Sequence, residues 1–144
     1  MHLLALDIGS SFIKGAVLDS EKLTIEHITR VPFPEPIAGL PPGHFEIDPM
    51  LVTSAVHELL DKLLAQVQGC EGILFSSQMG GVILTDLAGQ PLTNYISWRD
   101  QRTTQTQPGN KGDYLEVIRA SIEEDGLRQI GNELRAGSGL AILY

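Results

Sequence analysis

Two apolar segments near the start of this chain, residues 3–8 and 12–19, are joined by the short turn Gly9-Ser10-Ser11. Apolar runs on either side of a small polar turn predict two neighbouring β-strands that form a hairpin. This hairpin constrains the fold more than any other feature, because the elements that follow must pack around it.

The composition of the turn suggests chemistry as well as structure. A glycine permits backbone conformations closed to other residues, and the N–H groups and hydroxyls of Ser10 and Ser11 can face an anion. Asp7, just before the turn, can hold a hard cation against that anion. Lys14 lies in an otherwise apolar strand, where an unpaired buried charge would be costly, so we expect it to face an anionic group. A plain hairpin without a ligand is the alternative.

The composition narrows the class of partner. A length of 144 residues corresponds to about one domain, and 42% hydrophobic residues are enough for a core. The formal charge of −8 opposes binding to nucleic acid. A small-molecule partner, and no nucleic acid, is therefore expected.

The cysteine content and the hydropathy indicate the compartment. Cys70 is the single cysteine, so no disulfide can form within the chain, and no Cys/His cluster has zinc spacing. No basic leader segment and no apolar run of membrane-spanning length is present. We therefore predict a cytoplasmic protein without a membrane partner.

The next segments predict a third strand, a connector and a helix. Residues 23–28 alternate apolar and polar side chains, which is typical of a half-exposed strand, and residues 32–43 hold five prolines, which is typical of an extended connector. A helix is predicted to begin at Pro49, with Asp48 as its N-cap, and to run through Val67 to a stop at Gly69. His57 lies off its apolar stripe and is expected to be solvated.

Residues 72–76 predict a short strand after that helix, placed by a crossover parallel to an earlier strand. These elements together predict an α/β domain with a mixed sheet. A second hairpin is expected from residues 81–86 and 90–96, a loop at residues 108–113, and helices over residues 114–120 and 122–130. Residues 138–144 resemble the start of a helix with nothing to cover it, which predicts that the chain is truncated.

Two groups of side chains are candidates for binding a sugar. Gln78 and Met79 follow the strand at residues 72–76, where α/β sheets place ligands, and they offer an amide and an adaptable apolar wall. A glycine turn with a surface glutamine is the alternative there. Trp98 can cover the C–H face of a polyol or belong to the core, and Asp100 can be a ligand or a helix cap.

These features occur in the order and spacing of four motifs, so the chain resembles the FGGY family of carbohydrate kinases, and within it the xylulokinase-like branch. That family belongs to the superfamily of sugar kinases, heat-shock chaperones and actin. The motifs are Leu6-Asp7-Ile8-Gly9-Ser10-Ser11 with Lys14, Gly43-His44-Phe45-Glu46-Ile47-Asp48-Pro49, Gln78-Met79-Gly80-Gly81, and Trp98-x-Asp100-x-Arg102.

The resemblance implies a ribonuclease H-like (actin-like ATPase) fold, with residues 1–144 as the N-terminal part of the first of two domains. It implies ATP-dependent phosphorylation of a sugar or polyol hydroxyl, with ATP and Mg²⁺ as cofactors and a homodimer as a further expectation. Asp7 would orient the metal. Gly9, Ser10, Ser11 and Lys14 would face the phosphate, and Gln78, Met79, Gly80, Trp98 and Asp100 would bind the substrate.

The resemblance also implies that the general base and the adenine pocket lie outside this chain, so the chain alone is expected to be inactive. Gly80 stands where xylulokinases usually carry a histidine, which predicts a roomier pocket and a substrate other than D-xylulose. Two alternatives remain: a non-catalytic or ATP-switching relative, such as an activator or chaperone-like protein, and a short sugar-binding module.

Overall fold

A computed structural model describes residues 1–109, 112–122, 124–129 and 134–137 of the chain. The chain folds as two compact units. The first unit contains residues 1–35 and 49–78, and the second contains residues 36–48 and 79–144. The elements in chain order are β1 (His2–Ile8), β2 (Phe12–Asp19), β3 (Thr24–Pro32), β4 (Glu46–Ile47), α1 (Pro49–Leu64), β5 (Gly72–Ser77), β6 (Tyr95–Ile96), a 3-10 turn (Arg102–Thr104), α2 (Tyr114–Ser121) and α3 (Glu124–Gln129).

The first unit is built on a four-stranded mixed sheet in the order β3-β2-β1-β5. The first three strands are antiparallel neighbours, and β5 returns through α1 to lie parallel to β1 at one edge of the sheet. The predicted α/β architecture, with three antiparallel strands and a crossover helix, is confirmed.

The core of the first unit lies where α1 packs on the sheet. Its buried apolar side chains include Leu4, Leu6, Ile13, Val17, Leu59 and Leu63. Gly15 of β2 allows the close approach of the helix, because a Cβ at this position would lie 2.7 Å from Leu63 Cδ1 and 3.2 Å from Leu59 Cδ2. The absence of a side chain at this position therefore allows the helix to pack closely on the sheet.

Two predicted boundaries in the first unit differ from the structure. The helix begins at Pro49 as predicted but ends at Leu64, so the prediction that it continues through Val67 to Gly69 is wrong. Ala65 N still donates to Asp61 O, four residues back, but from Gln66 onward the backbone bonds change to the i−3 type, with Gln66 N donating to Leu63 O at 3.0 Å. The third strand runs from Thr24 to Pro32 and so extends past the predicted residues 23–28. His57 is exposed, as expected.

The second unit contains the short antiparallel pair β4–β6. The expected hairpin at residues 81–96 is present only as the isolated bridges Val82–Ile96 and Thr85–Pro91, and Ile96 pairs on its other side with Glu46 of β4. The helix predicted at residues 114–120 is confirmed as α2, which Asp113 caps by accepting a hydrogen bond from Glu116 N.

The helix predicted for residues 122–130 covers only Glu124–Gln129 among the described residues. Ile122 terminates α2 instead, and the expected helix start at residues 138–144 lies outside the described residues. None of the helices in the described ranges is long and apolar enough to cross a bilayer.

Candidate functional site

The first part of the candidate site is the pair of strands that flank the β1–β2 turn. Asp7 on β1 and Lys14 on β2 are register partners, so their side chains lie side by side on one face of the sheet. Lys14 Nζ lies 3.5 Å from Asp7 Oδ2, and about half of each side chain is exposed, 56% and 49%. The lysine therefore does face an anionic group, which in this structure is the carboxylate of Asp7.

The turn is closed by backbone contacts. Gly9 N donates to Phe12 O at 3.2 Å, and a Cβ at residue 9 would lie only 3.0 Å from the same oxygen. Gly9 does not have a positive φ, so the left-handed conformation that glycine permits is not used here. Glycine suits this position because the chain approaches itself closely here, and a side chain would have to push Phe12 O away.

The hydroxyls of the turn are open to solvent. Ser10 and Ser11 are exposed. Within the described part of the chain, neither hydroxyl makes a hydrogen bond, whereas Ser11 O accepts one from Phe33 N at 3.1 Å. The turn is thus anchored through its backbone while its hydroxyl donors remain available to a ligand.

Gln78 follows β5 and lies at the carboxyl ends of β1 and β5, where the β1–β2 turn also begins. The pairing of β1 with β5 ends with Ile8 opposite Ser77, and Gln78 N then donates to Ile8 O at 2.9 Å. The carboxyl ends of two parallel strands therefore bring Gln78 to the end of β1 that leads into Gly9, the usual place for ligands in open α/β sheets.

The second unit holds the glycine pair and the tryptophan together. Gly80 and Gly81 have φ angles of +84° and +79°, which favour glycine. A Cβ at Gly80 would lie 2.9 Å from Trp98 Cβ, so the expected extra room at this position is filled by Trp98. Trp98 is 45% exposed and Met79 is 90% exposed, so neither belongs to the core.

Asp100 is 1% exposed, and both of its carboxylate oxygens are used within the protein. Its Oδ2 accepts from Phe45 N at 2.7 Å and from Arg102 Nη2 at 2.8 Å, and its Oδ1 accepts from Arg102 N and Nε at 2.9 and 2.8 Å. Burial alone raises the pKa of Asp100, but these bonds outweigh it and hold the pKa below the ordinary 3.8. This carboxylate links the chain before β4 to the chain after β6.

The same arginine binds a second carboxylate that sequence reasoning did not assign. Arg102 Nη2 lies 2.5 Å from Glu46 Oε1, and Asn94 Nδ2 donates to Glu46 Oε2 at 2.8 Å. Burial pulls the pKa of Glu46 upward, but the bonds from Asn94 and Arg102 hold it below 4.5. The hydrogen bond to Asp100 raises the pKa of Arg102, so the arginine stays charged. In the sequence, the only indication of a role for these two residues is that Glu46 and Arg102 each belong to one of the four family motifs.

The donor set of the first unit suits a cation shared with a ligand. Among the described residues, no three His, Cys, Asp or Glu side chains cluster to form a metal site. Mg²⁺ commonly binds through one or two carboxylates, with water and phosphate oxygens completing its shell. Asp7, beside a turn with free hydroxyls and a lysine, fits that mode of binding.

The sequence of the chain matches the profile of a known protein family. The sequence profile of the FGGY family of carbohydrate kinases, N-terminal domain, matches residues 2–113. The chain belongs to this family. Among curated FGGY relatives, it is similar to the xylulose kinase of Bacillus subtilis, with 31% identity over 104 residues that cover 72% of the chain and 21% of that enzyme.

Solved structures agree with the fold. The ligand-bound xylulose kinase of Lactobacillus acidophilus superposes with a TM-score of 0.68 at 23% identity, covering 91% of this chain and 24% of that one. A glycerol kinase of Plasmodium falciparum with ADP gives a TM-score of 0.53 at 21% identity, covering 91% of this chain and 31% of that one. The mixed α/β sheet is therefore part of the actin-like ATPase fold of FGGY kinases.

The FGGY chain spans about a fifth of the length of the curated relative, 21%.

Proposed function

We propose that residues 1–144 are the N-terminal part of the first domain of an ATP-dependent kinase that phosphorylates a hydroxyl of a sugar or polyol. The observation that carries this proposal is the Asp7–Lys14 pair beside the hydroxyl-lined turn, in a chain of the FGGY family. Phosphoryl transfer relies mainly on positioning and on charge stabilisation, and this turn offers both.

In this proposal, the turn serves the phosphate. Asp7 would hold Mg²⁺, and the Ser10 and Ser11 hydroxyls would donate to phosphate oxygens. Bound Mg²⁺ would neutralise charge that develops on the phosphate. Lys14, now paired with Asp7, can exchange part of that contact for an anionic ligand, because its exposed ammonium is free to reorient. ATP as the phosphate donor agrees with the ADP named for the Plasmodium falciparum kinase.

In this proposal Gln78 of the first unit and, in the second unit, Met79, Gly80 and Trp98 each take part in binding the substrate. The exposed indole offers an apolar wall to the C–H face of a polyol, and the Gln78 amide can bind hydroxyls. Asp100 was predicted to bind substrate directly, and we propose instead that it positions the Trp98 segment, because both of its oxygens already accept hydrogen bonds. The names of the relatives favour a ketose or polyol as the substrate class.

The remaining expectations stay predictions. They are the general base and adenine pocket outside this chain, the homodimer, the cytoplasmic location and the absence of nucleic-acid and membrane partners. A substrate other than D-xylulose is still expected, because residue 80 has no side chain to bind a hydroxyl. An ATP-switching relative has no need of an exposed tryptophan beside the glycine pair, which favours the kinase.

The experiment is a coupled ADP-release assay on the complete protein encoded by the reading frame that contains this chain, with pentuloses, hexuloses, glycerol and other polyols. Sugar-dependent ADP release that requires Mg²⁺ and falls in Asp7→Ala is expected. ATP hydrolysis independent of every sugar would support the ATP-switching alternative, and sugar binding without any turnover would support the binding module.

A further inference from the structure

We infer that Gly80 determines specificity through Trp98: because it lacks a side chain, the tryptophan packs directly on the turn at residues 79–81, and this contact sets where the indole stands. The assignment of a polyol to that indole rests on the proposed function. The contact itself does not.

The contact involves the first atom of each side chain. A Cβ at Gly80 would lie 2.9 Å from Trp98 Cβ, closer than real Cβ atoms approach, and 3.9 Å from Trp98 Cγ. Because Trp98 Cβ is attached to the backbone, no change of its rotamer can relieve that contact. Any side chain at residue 80 must therefore move the backbone that carries Trp98 or the turn itself.

The neighbouring residues hold the turn against the same segment. A Cβ at Gly81 would lie 2.6 Å from Ile96 O, and the Tyr95 hydroxyl lies 3.4 Å from Gly80 O, to which it donates. The turn therefore cannot simply retreat from Trp98. The strain of a side chain at residue 80 falls on the position of Trp98.

The consequence is a change in the shape of the exposed wall. The indole is half exposed and lies in the same compact unit as the largely exposed Met79 side chain. A displaced Trp98 carries this apolar wall to a new place within the second unit. Residue 80 thus selects among polyols by positioning the indole rather than by bonding to a hydroxyl.

Fluorescence tests the positioning directly, because Trp98 is the only tryptophan of the chain. In Gly80→Ala, we expect the emission maximum to move to longer wavelength and acrylamide quenching to increase. Gly89→Ala is the matched control, since Gly89 has a similar φ of +79° but nothing within 4 Å of its Cβ position. A Gly80→Ala spectrum identical to wild type, in a chain with a native circular dichroism spectrum, would overturn the inference.

A double-mutant cycle covers the case in which Gly80→Ala unfolds the second unit. Trp98→Gly removes the Cβ that clashes, so Gly80→Ala should lower the urea midpoint much less in that background than in wild type. Equal losses in both backgrounds would show that backbone strain alone is responsible and would refute the contact.

Titration with polyols connects the contact to specificity. In the complete protein, Gly80→Ala should change the relative affinities for pentuloses, hexuloses and glycerol by about tenfold or more, and Gly89→Ala should not. Unchanged relative affinities, with a shifted Trp98 spectrum, would refute the role in specificity. If wild type binds no polyol while Gly80→Ala still shifts the spectrum, the proposed function fails and the positioning stands.

Discussion

Asp7 Oδ2 and Lys14 Nζ lie 3.5 Å apart on register partners of antiparallel strands, and each side chain is about half exposed. Exposed ion pairs contribute only about 0–1 kcal/mol to stability. The apolar side chains of the same strands are buried under α1 and account for the packing. The pair therefore contributes little to the stability of the fold, which agrees with the ligand role that we propose for both charges.

The first prediction is that, if the complete protein is the kinase that we propose, Asp7→Ala lowers its kcat by about 10²–10³-fold and changes the KM for sugar little. The carboxylate acts on metal and phosphate, whose charge is redistributed in the transition state, so the loss falls on the chemical step. Steady-state kinetics over a range of sugar concentrations measure both constants.

The control for this variant is Asp61→Ala, an exposed carboxylate on α1 in the same unit. It should leave kcat unchanged. An Asp7→Ala enzyme with normal kcat and only a raised sugar KM would contradict the metal role and favour a plain hairpin.

The second prediction concerns the ion network of the second unit. Arg102→Met leaves the buried carboxylates of Asp100 and Glu46 without their cation, and removing one partner of a buried pair typically costs about 3–5 kcal/mol. Urea unfolding followed by circular dichroism and Trp98 fluorescence measures the loss. Arg128→Met removes an exposed pair with Glu124 and should cost less than about 1 kcal/mol. Similar losses in the two variants would contradict the assignment of the network.

The third prediction is a pH dependence of stability. The folded pKa values of Asp100 and Glu46 lie below their ordinary 3.8 and 4.5, so the unfolded chain binds more protons at low pH. Their contribution is fully present above about pH 5 and is lost as the pH falls through the lowered folded pKa values. The free energy of unfolding, measured from pH 7 to pH 2, should fall more steeply for wild type than for Asp100→Asn. Parallel pH curves for the two proteins would contradict this prediction.

The fourth prediction is that the chain of 144 residues releases no ADP in a sugar-dependent manner, because we place the general base and adenine pocket elsewhere. A coupled assay with ATP, Mg²⁺ and a panel of pentoses, hexoses and polyols provides the measurement. Turnover clearly above the blank with any of them means that the catalytic groups are within this chain. The complete protein serves as the positive control.

Local patterns predicted the elements whose partners lie close in sequence or are set by burial. The hairpin that holds Asp7 and Lys14, the helix start at Pro49 and the strand β5 all follow from apolar periodicity and turn residues. The end of the helix at Leu64 could not be predicted in this way. Val67 continues the apolar pattern, but the backbone bonds there have already changed from the i−4 to the i−3 type. Periodicity reports which face is apolar, not where the last i−4 bond is made.

The candidate site was predictable where chemistry follows from residue type and less so where it depends on tertiary contacts. The Glu46–Arg102 bond joins residues that are 56 positions apart, and no local pattern specifies it. Gly80 was expected to provide room, and only the structure places Trp98 Cβ where its side chain would be. The missing information was strand pairing: β4 with β6 brings Glu46 towards Arg102, and the Val82–Ile96 bridge brings Gly80 to Trp98.

The place of β5 at the edge of the sheet has a consequence for the behaviour of the chain in solution. In the described residues no strand pairs with its outer edge, and its consecutive side chains Leu74 and Phe75, which point to opposite faces, are 52% and 60% exposed. An apolar strand with open N–H and C=O groups is a template for pairing with another chain. We therefore expect the chain to self-associate as its concentration rises, and Phe75→Lys, which places a charge on that edge, to keep it monomeric.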